Sequence, residues 1–406
     1  MMECEWCVAQ QWVFWSAAIV ILYVYAGYPV LLACGACFRS RLVRKGVWTP
    51  PVSVVMAVHN EGRVVEAKIE NLLALHFPPD RLEIVVVSDV STDETDDRVA
   101  AYRSRGVRLI RLPVHCGKAA ALNAGVAVAR GEIVVFVDAR QQVDVMALRR
   151  LAENFCDETV GAVGGRLLLG GMDGQDTAGF GAYWSYELWL RRHESRIDSM
   201  LGATGALYAI RRALWTPLPP DAILDDVLIP MRIILQGYRV VYEPEAIVFD
   251  HLSEQVPDEF SRKVRTLAGN FQLLGFCPSL LLPFRNRVWF QFVSHKVGRL
   301  VVPPCLVLLL ILSAVLDYGF YEVAFNVQLL WYGVAACAGI PLLQRLTRRA
   351  VSAATAIAAM NLAVVLGLAY IMAGRRGLWR RHAAAKFRSG AAPIPQTHRI
   401  HGQVHR

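Results

Sequence analysis

Residues 12–33, WVFWSAAIVILYVYAGYPVLLA, carry no charged side chain. As an α-helix they would extend about 33 Å, enough to cross the hydrocarbon core of a bilayer. Glu3 and Glu5 precede this run where a signal peptide would be basic, and the run is too long for a leader's apolar core. A retained membrane helix is therefore expected. Arg39, Arg41, Arg44 and Lys45 follow it closely. By the positive-inside rule the amino terminus then lies outside the cell and the next domain in the cytosol.

A chain of 406 residues can hold one domain of about 200 to 250 residues and more besides. Apolar residues make up 55% of it, above the usual soluble range, with the excess in the first 35 residues and the last 110. A membrane protein with a water-exposed middle is the class this fits. Of the net charge of +9, the tail from Arg375 to Arg406 supplies +8. Beside an apolar segment, that asymmetry points to anionic lipid rather than nucleic acid. Among nine cysteines, Cys4/Cys7 and Cys34/Cys37 have CxxC spacing, but no second pair or suitably spaced histidines accompany either. Small membrane-helix residues are the expectation there, not a metal or redox site.

The middle of the chain alternates strands and helices. Val52–Val58 reads as a buried strand running into His59-Asn60-Glu61-Gly62. A second strand, 82–87, ends in Ser88-Asp89, with Ser91 placed to cap the next helix. A short third strand spans 107–112, and Cys116-Gly117-Lys118 opens an alanine-rich helix to Ala129. The apolar run 133–137 then delivers Asp138. Units at this spacing predict a parallel sheet covered on both faces, with its ligand site at the carboxyl ends of the strands. Asn60, Asp89 and Asp138 all fall there. No GxGxxG and no Walker loop is present, so the glycines that cradle phosphate are missing. Carboxylates repel bare phosphate, so a phosphate ligand at these strand ends needs a divalent cation between them. Asp89 can equally accept hydrogen bonds from a base or ribose.

The second half of this domain changes character. Residues 161–171 are glycine-rich around an apolar strand. Phe180–Glu194 reads as a helix with Tyr183, Tyr186, Glu187 and Trp189, an aromatic stripe suited to core packing or to stacking on sugar rings. Gly202-Ala203-Thr204-Gly205-Ala206 is tight enough for backbone to approach a ligand. Asp221, Asp225 and Asp226 precede an interrupted helix, a turn at Gly237 and a strand. Paired aspartates at a helix start can simply favour the positive end of its dipole. Asp226 is the one able to face the cleft if Ile229, Ile233 and Ile234 pack inward. Beyond lie a basic, semi-apolar stretch with Arg262, Lys263 and Arg265, and an expected interfacial amphipathic helix over 281–299. Spans are expected at 300–316, 323–343 and 351–373. Four spans would leave both termini outside, against the basic tail; the cytosolic middle rests on the first span.

These residues, in this order, resemble the inverting membrane glycosyltransferases of family 2, the group that includes cellulose, chitin and hyaluronan synthases, over about residues 50–300. VSVVMAVHNE is similar to the family's opening strand and nucleotide-contacting turn (Asn60, Glu61). SDVSTDET resembles the segment whose aspartate contacts uracil (Asp89), and CGKAAALNAG the stretch that places Lys118 near the nucleotide. VDAR stands where the family has its DxD metal motif. Asp138 is kept, and Arg140 replaces the second carboxylate. GATGALYAIRR resembles the acceptor segment (Gly202, Thr204, Gly205). ILDDVLIPMR resembles the TED-bearing helix, which puts the base on Asp226 with Asp225 in place of the glutamate. At the Gln-x-x-Arg-Trp position the chain has Arg262 to Thr266. Arg262 and Arg265 remain to neutralise a diphosphate, and the stacking tryptophan is absent.

The resemblance implies an α/β fold: a GT-A-type, mostly parallel sheet domain at 50–280. Around it are expected an N-terminal transmembrane helix and linker at 1–49, the interfacial helix at 281–299, about three transmembrane helices at 300–374 and a basic tail. It implies direct displacement on a nucleotide sugar, a UDP-sugar first, with Mg²⁺ or Mn²⁺ held at Asp138. No covalent nucleophile is needed, and His59 and His251 read as structural or cleft-lining. The implied partners are a glycan or lipid acceptor, membrane lipids and polysaccharide-export proteins, with no nucleic acid. The implied place is the plasma membrane, multi-pass, with the catalytic domain cytosolic. Three outcomes stay open: polysaccharide assembly, transfer of one sugar to a lipid, and a membrane-tethered binding or scaffold protein with a degenerate catalytic domain.

Overall fold

Strand β1 (Val52–Val58) is buried on both faces, as its run of β-branched residues requires. A computed structural model describes residues 2–169, 180–250, 256–316, 318–336 and 348–373. In it, β1 pairs in parallel with β2 (Leu82–Ser88) and with β4 (Ile133–Val137), and β2 with β3 (Val107–Arg111). The other strands are β5 (Gln142–Val143), β6 (Val160–Leu169), β7 (Leu207–Arg211) and β8 (Arg239–Asp250). The sheet order is β3-β2-β1-β4-β7-β6-β8-β5. β7 runs antiparallel to both β4 and β6, and β5 antiparallel to β8. β6 pairs in parallel with β8, so six of the eight described strands run one way and the sheet is mostly parallel, with β7 and β5 running against it. β7 is inserted beside β4 from a segment whose glycines read as a ligand loop.

Helices cover both faces. Helix α3 (Gly62–Leu73) packs Val65 and Ile69 on Val54 and Met56. On the opposite face α5 (Lys118–Val128) sets Leu122 among Val55, Val87 and Phe136, and α8 (Asp225–Leu235) buries Ile229, Ile233 and Ile234 in the same cluster. Two short helices, α4 (Thr95–Ala100) and α6 (Ala147–Glu153), lie between them in the chain. Pro230 sits inside α8 without ending it. A proline removes the N–H that would bond four residues back, and the freed carbonyl of Asp226 accepts from the Ala203 amide at 2.7 Å.

Among the described residues, two helices are long and apolar enough to cross a membrane, Cys7–Phe38 and Trp289–Leu316. The first comprises α1 (Met2–Leu22), a π-turn (Tyr23–Gly27) and α2 (Tyr28–Phe38). It rests on α7 (Phe180–Ile197), where Tyr186, Trp189 and Leu190 pack against Tyr28 and Leu32. The aromatic residues of α7 thus serve packing at these positions; the Tyr183 side chain lies outside the described residues.

The second is α10 (Trp289–Gln291), a π-turn (Phe292–Val297) and α11 (Gly298–Leu316). A separate interfacial helix over 281–299 is accordingly not formed. Asn286 accepts the Val288 amide and starts the span. Arg287, instead of lying on lipid, reaches Asp198 and the carbonyls of Gly237 and Tyr238. The linker behaves likewise, with Arg41 paired to Asp198 and Lys45 to Glu243.

The remaining described helices are α9 (Val256–Phe276), α12 (Phe320–Ala336) and α13 (Arg348–Met372). The rest of the span expected at 323–343, His251 and the basic tail lie outside the described residues. In α13, Gly367 approaches α9 so closely that a Cβ would sit 2.8 Å from the Ala268 amide nitrogen.

Gly131 turns the chain into β4 against β1, where a Cβ would lie 2.4 Å from the Ser53 nitrogen. Backbone cannot yield there, so Gly131→Ala is expected to lose about 1–3 kcal/mol of stability. Gly275 has nothing within 4 Å, and Gly275→Ala should be neutral or slightly stabilising. Thermal unfolding of both variants in the same detergent checks the contrast.

Candidate active site

The first residue of α5 places the central charge. Gly117, at φ +92°, lets the chain turn into the helix. The amides of Cys116 and Gly117 donate to the two oxygens of Asp89, each at 2.8 Å. His115 Nδ1 lies 2.9 Å from the same carboxylate. Asp89 is 1% exposed, and its oxygens face this loop. The resemblance assigned it to a base, whereas in the structure it anchors the loop that aims Lys118.

Lys118 Nζ lies 3.0 Å from Asp138 Oδ1, at the end of β4, and 3.2 Å from Asp225 Oδ1, at the start of α8. Asp225 is buried and accepts the Tyr208 hydroxyl at 3.0 Å on its other oxygen. Its neighbour Asp226 turns the other way, and Oδ2 accepts the Gly205 amide at 3.0 Å. The two aspartates therefore differ: Asp225 holds the lysine and Asp226 faces the 202–206 loop. A side chain at Gly205 would put its Cβ 3.3 Å from Asp226 Oδ2, and one at Gly202 would put its Cβ 3.1 Å from Val227 Cγ2. Thr204 Oγ1 accepts from Arg191 Nη1 at 2.9 Å.

The charges act on one another across this cleft. Burial first, then Asp225, raises the Asp226 carboxyl from 3.8 to about 6, with Lys118, Arg191 and Lys296 pulling it back down. Burial works against the Lys118 ammonium, but Asp138 and Asp225 outweigh it and hold its pKa above the ordinary lysine value. Arg265, on α9, is lowered by burial and supported by Asp138, Asp225 and Asp226. Lys68 lies under the Asp138 loop, donates to the Gln141 carbonyl at 2.7 Å and is lowered by burial to about 7.

The structure thus gathers Lys118, Asp138, Asp225, Asp226, Gly205, Thr204 and Arg265. Asn60 and Glu61 belong to a neighbouring turn. Asn60, at φ +54°, accepts the Thr92 amide at 2.8 Å, and the Glu61 amide donates to Thr95. Ser91 caps no helix; it accepts the Asn60 amide, while Asp93 accepts from Thr95. Arg262 lies one turn from Arg265 on α9. Tyr208, Arg191, Lys68 and His115 were not singled out from sequence. Only Arg191 had a local signal, its four-residue spacing from Glu187 on a helix.

Asp138 is partly exposed at the strand end, and one carboxylate with diphosphate oxygens and water is a usual set for Mg²⁺. Arg140 is turned away, with Nη2 2.6 Å from Asp250 Oδ2. Among the described residues no group of three or more His, Cys, Asp or Glu is assembled for a metal. The donor set fits a cation shared with a phosphate ligand, with Asp138 as its protein carboxylate.

Residues 53–214 match the family model "Glycosyl transferase family 2". The match covers β1 to β7, including Lys118, Asp138 and the 202–206 loop. Over those residues, less than half of its length, the chain is similar to glycosyltransferase family 2. The chain is 28% identical over 265 residues to the Bacillus subtilis protein named probable glycosyltransferase YdaM, spanning 60% of each chain. It is 23% identical over 292 residues to a poly-beta-1,6-N-acetyl-D-glucosamine synthase of Staphylococcus epidermidis, spanning 68% of this chain and 69% of that one. Its fold is similar to that of the Pyrobaculum calidifontis mannosyltransferase PcManGT, solved with GDP-mannose and Mn²⁺. The TM-score is 0.63 at 23% identity, over 86% of this chain and 99% of that one.

Lys118 is one of three cations that pull the Asp226 carboxyl down. In Lys118→Met the Asp226 carboxyl should titrate above about 6. Infrared titration of the carboxyl band, with Asp226→Asn as the assignment control, measures this; an unchanged or lower midpoint contradicts the geometry.

Proposed function

We propose that this enzyme moves a sugar from a nucleoside diphosphate sugar, a UDP-sugar first, onto a growing cell-surface or extracellular polysaccharide by one inverting displacement. The observation that carries the reading is Lys118, which draws Asp138 and Asp225 to one cleft while Asp226 faces the 202–206 loop. An acceptor hydroxyl beside Gly202 and Gly205 would be within reach of Asp226. At neutral pH a carboxyl of pKa about 6 is ionised yet basic enough to take that hydroxyl's proton. As the new bond to the anomeric carbon forms, the bond to the diphosphate oxygen breaks and its electron pair leaves with the diphosphate. Lys118 and Arg265 face that developing charge. Arg262 adds a further cation on the same helix, and Asn60 and Glu61 border the nucleotide end. Asp138 would hold Mg²⁺ or Mn²⁺, which when bound neutralises the diphosphate.

The Staphylococcus relative's name supports polysaccharide assembly. A second reading has its own observation. Helix α9, which carries Arg262 and Arg265, packs Leu267 against Ala363 and Val364 of the apolar helix α13. A cleft wall continuous with a membrane helix suits a lipid acceptor receiving one sugar, and no tryptophan stands after Arg265 to stack a polymer. A degenerate binding or scaffold protein is disfavoured by the assembled carboxylates. We place the enzyme in the plasma membrane as a multi-pass protein with its cleft cytosolic, where nucleotide sugars are made. Export proteins would then receive a polymeric product.

The test is a screen of nucleotide sugars with the full chain in lipid, the product being sized. High-mass material supports the polymer reading; a single small glycolipid supports the alternative. Asp226→Asn should lower kcat about 10²- to 10⁴-fold. Because the base must be ionised, wild-type kcat/KM should fall about tenfold per pH unit below about 6 and level off above it. A profile flat down to pH 5 would remove Asp226 from that role.

A further inference from the structure

Helix α7 lies between the cleft and the two long apolar helices, and its inward face is charged. Glu187, Arg191 and Glu194 recur at helical spacing, and both glutamates are buried. Their partners come largely from the membrane-entering helices. Tyr28 of the first helix donates its hydroxyl to Glu194 Oε1 at 2.8 Å. His295, in the π-turn of the second, has Nδ1 2.7 Å from the same oxygen and Nε2 3.4 Å from Glu187 Oε2. Arg299 donates to Glu187 Oε2 at 2.9 Å. Burial pushes the Glu187 carboxyl up, but Arg299, His295 and Arg191 outweigh it and hold it well below the usual range.

Arg191 is the joint between this cluster and the cleft. Its Nε reaches Glu187 Oε1 at 3.4 Å and its Nη1 donates to Thr204 Oγ1 at 2.9 Å. The next residue, Gly205, gives its amide to Asp226 Oδ2. The Ala203 amide meets the Asp226 carbonyl. The 202–206 loop is thus pinned to the proposed base on one side and to Arg191 on the other. At the far end, the two apolar helices cross where each has a π-turn. There Tyr23 and Ser294 hydroxyls are 2.6 Å apart, and a Cβ on Gly298 would lie 2.8 Å from Val24 Cγ2. π-turns inside helices often mark functional positions.

We propose that Arg191 is a positioning residue for transfer: it sets the 202–206 loop against Asp226, and Tyr28 and His295 of the membrane-entering helices hold it through Glu187 and Glu194. The proposal rests on Asp226 being the base. A lysine could keep the charge, but one ammonium does not reproduce a planar fork that meets a carboxylate and a hydroxyl at once. Docking the helices alone would require neither Thr204 nor the fork.

The experiment uses the full chain in nanodiscs of phosphatidylethanolamine and phosphatidylglycerol, comparing Arg191→Lys, Thr204→Val, their double variant and Tyr28→Phe. Arg191→Lys and Thr204→Val should each lower kcat about tenfold or more, with donor KM within about threefold of wild type. The double variant should be no slower than the slower single, because both break one contact. Hydrogen exchange of the 202–206 amides should accelerate about tenfold in Arg191→Lys and Tyr28→Phe. Tyr28→Phe and Thr204→Val change few atoms and keep the test decisive if Arg191→Lys unfolds. Multiplying kcat effects, an equal rise in donor KM, or unchanged loop exchange would overturn the proposal. If wild type transfers no sugar from any donor, the transfer reading fails. Exchange then still decides whether the membrane-entering helices hold the loop.

Discussion

One ammonium holds the cleft together. Asp138 ends a strand and Asp225 begins a helix 87 residues later, and without a cation between them two carboxylates would repel. Lys118 supplies that cation from a third element. Its own position depends on Asp89, which accepts the two amides that turn the chain into α5. A buried carboxylate accepting backbone N–H groups is well satisfied, so the anchor is rigid. The consequence reaches Asp226. Because Tyr208 and Lys118 fix Asp225, the adjacent side chain faces a buried negative charge, and with desolvation this lifts its pKa towards neutrality. Adjacent aspartates on one helix turn acquire different roles from their partners, not from their sequence.

Backbone irregularity does comparable work. An uninterrupted α8 would spend the Asp226 carbonyl on a helical hydrogen bond. Pro230 cannot donate it, and the carbonyl takes the Ala203 amide instead. The same aspartate binds the loop twice, once through its main chain and once through its carboxylate. β7 completes the arrangement, since its antiparallel course between β4 and β6 returns the loop to the end of the sheet where Asp138 stands.

The parts legible in the sequence are those whose signal is local. β1, β2 and β4 are buried on both faces, so their apolar runs are continuous and their ends deliver Asn60, Asp89 and Asp138 where periodicity puts them. Asp226 was legible because the inward packing of Ile229, Ile233 and Ile234 fixes the helix face. β7 was not, because LYAIR is short and follows glycines. The direction of Asp89 escaped notice because its partners lie 27 and 28 residues away. The 281–299 segment misled by composition. Its arginines and aromatics suit an interface, yet Arg287 finds carbonyls and a carboxylate on the folded domain, which a hydropathy pattern does not reveal.

That misreading bears on how the domain meets the membrane. The basic residues flanking the apolar helices spend charge on the protein: Arg41 and Arg287 both on Asp198, Lys45 on Glu243. Part-exposed pairs contribute little stability singly, but those of Arg41 and Arg287 converge on Asp198, in the segment that follows α7, while Lys45 reaches the buried Glu243 of β8. On another side, Arg265 reaches the cleft from a helix whose opposite face packs on α13 through Gly367. The cleft is therefore not a soluble unit to which membrane helices are merely attached. One wall carries a cation supported from the apolar helices, and the loop facing Asp226 is braced through α7 by two others. A sheet of this kind can present carboxylates unaided; the cationic side of the cleft is completed by helices that pack against the apolar ones.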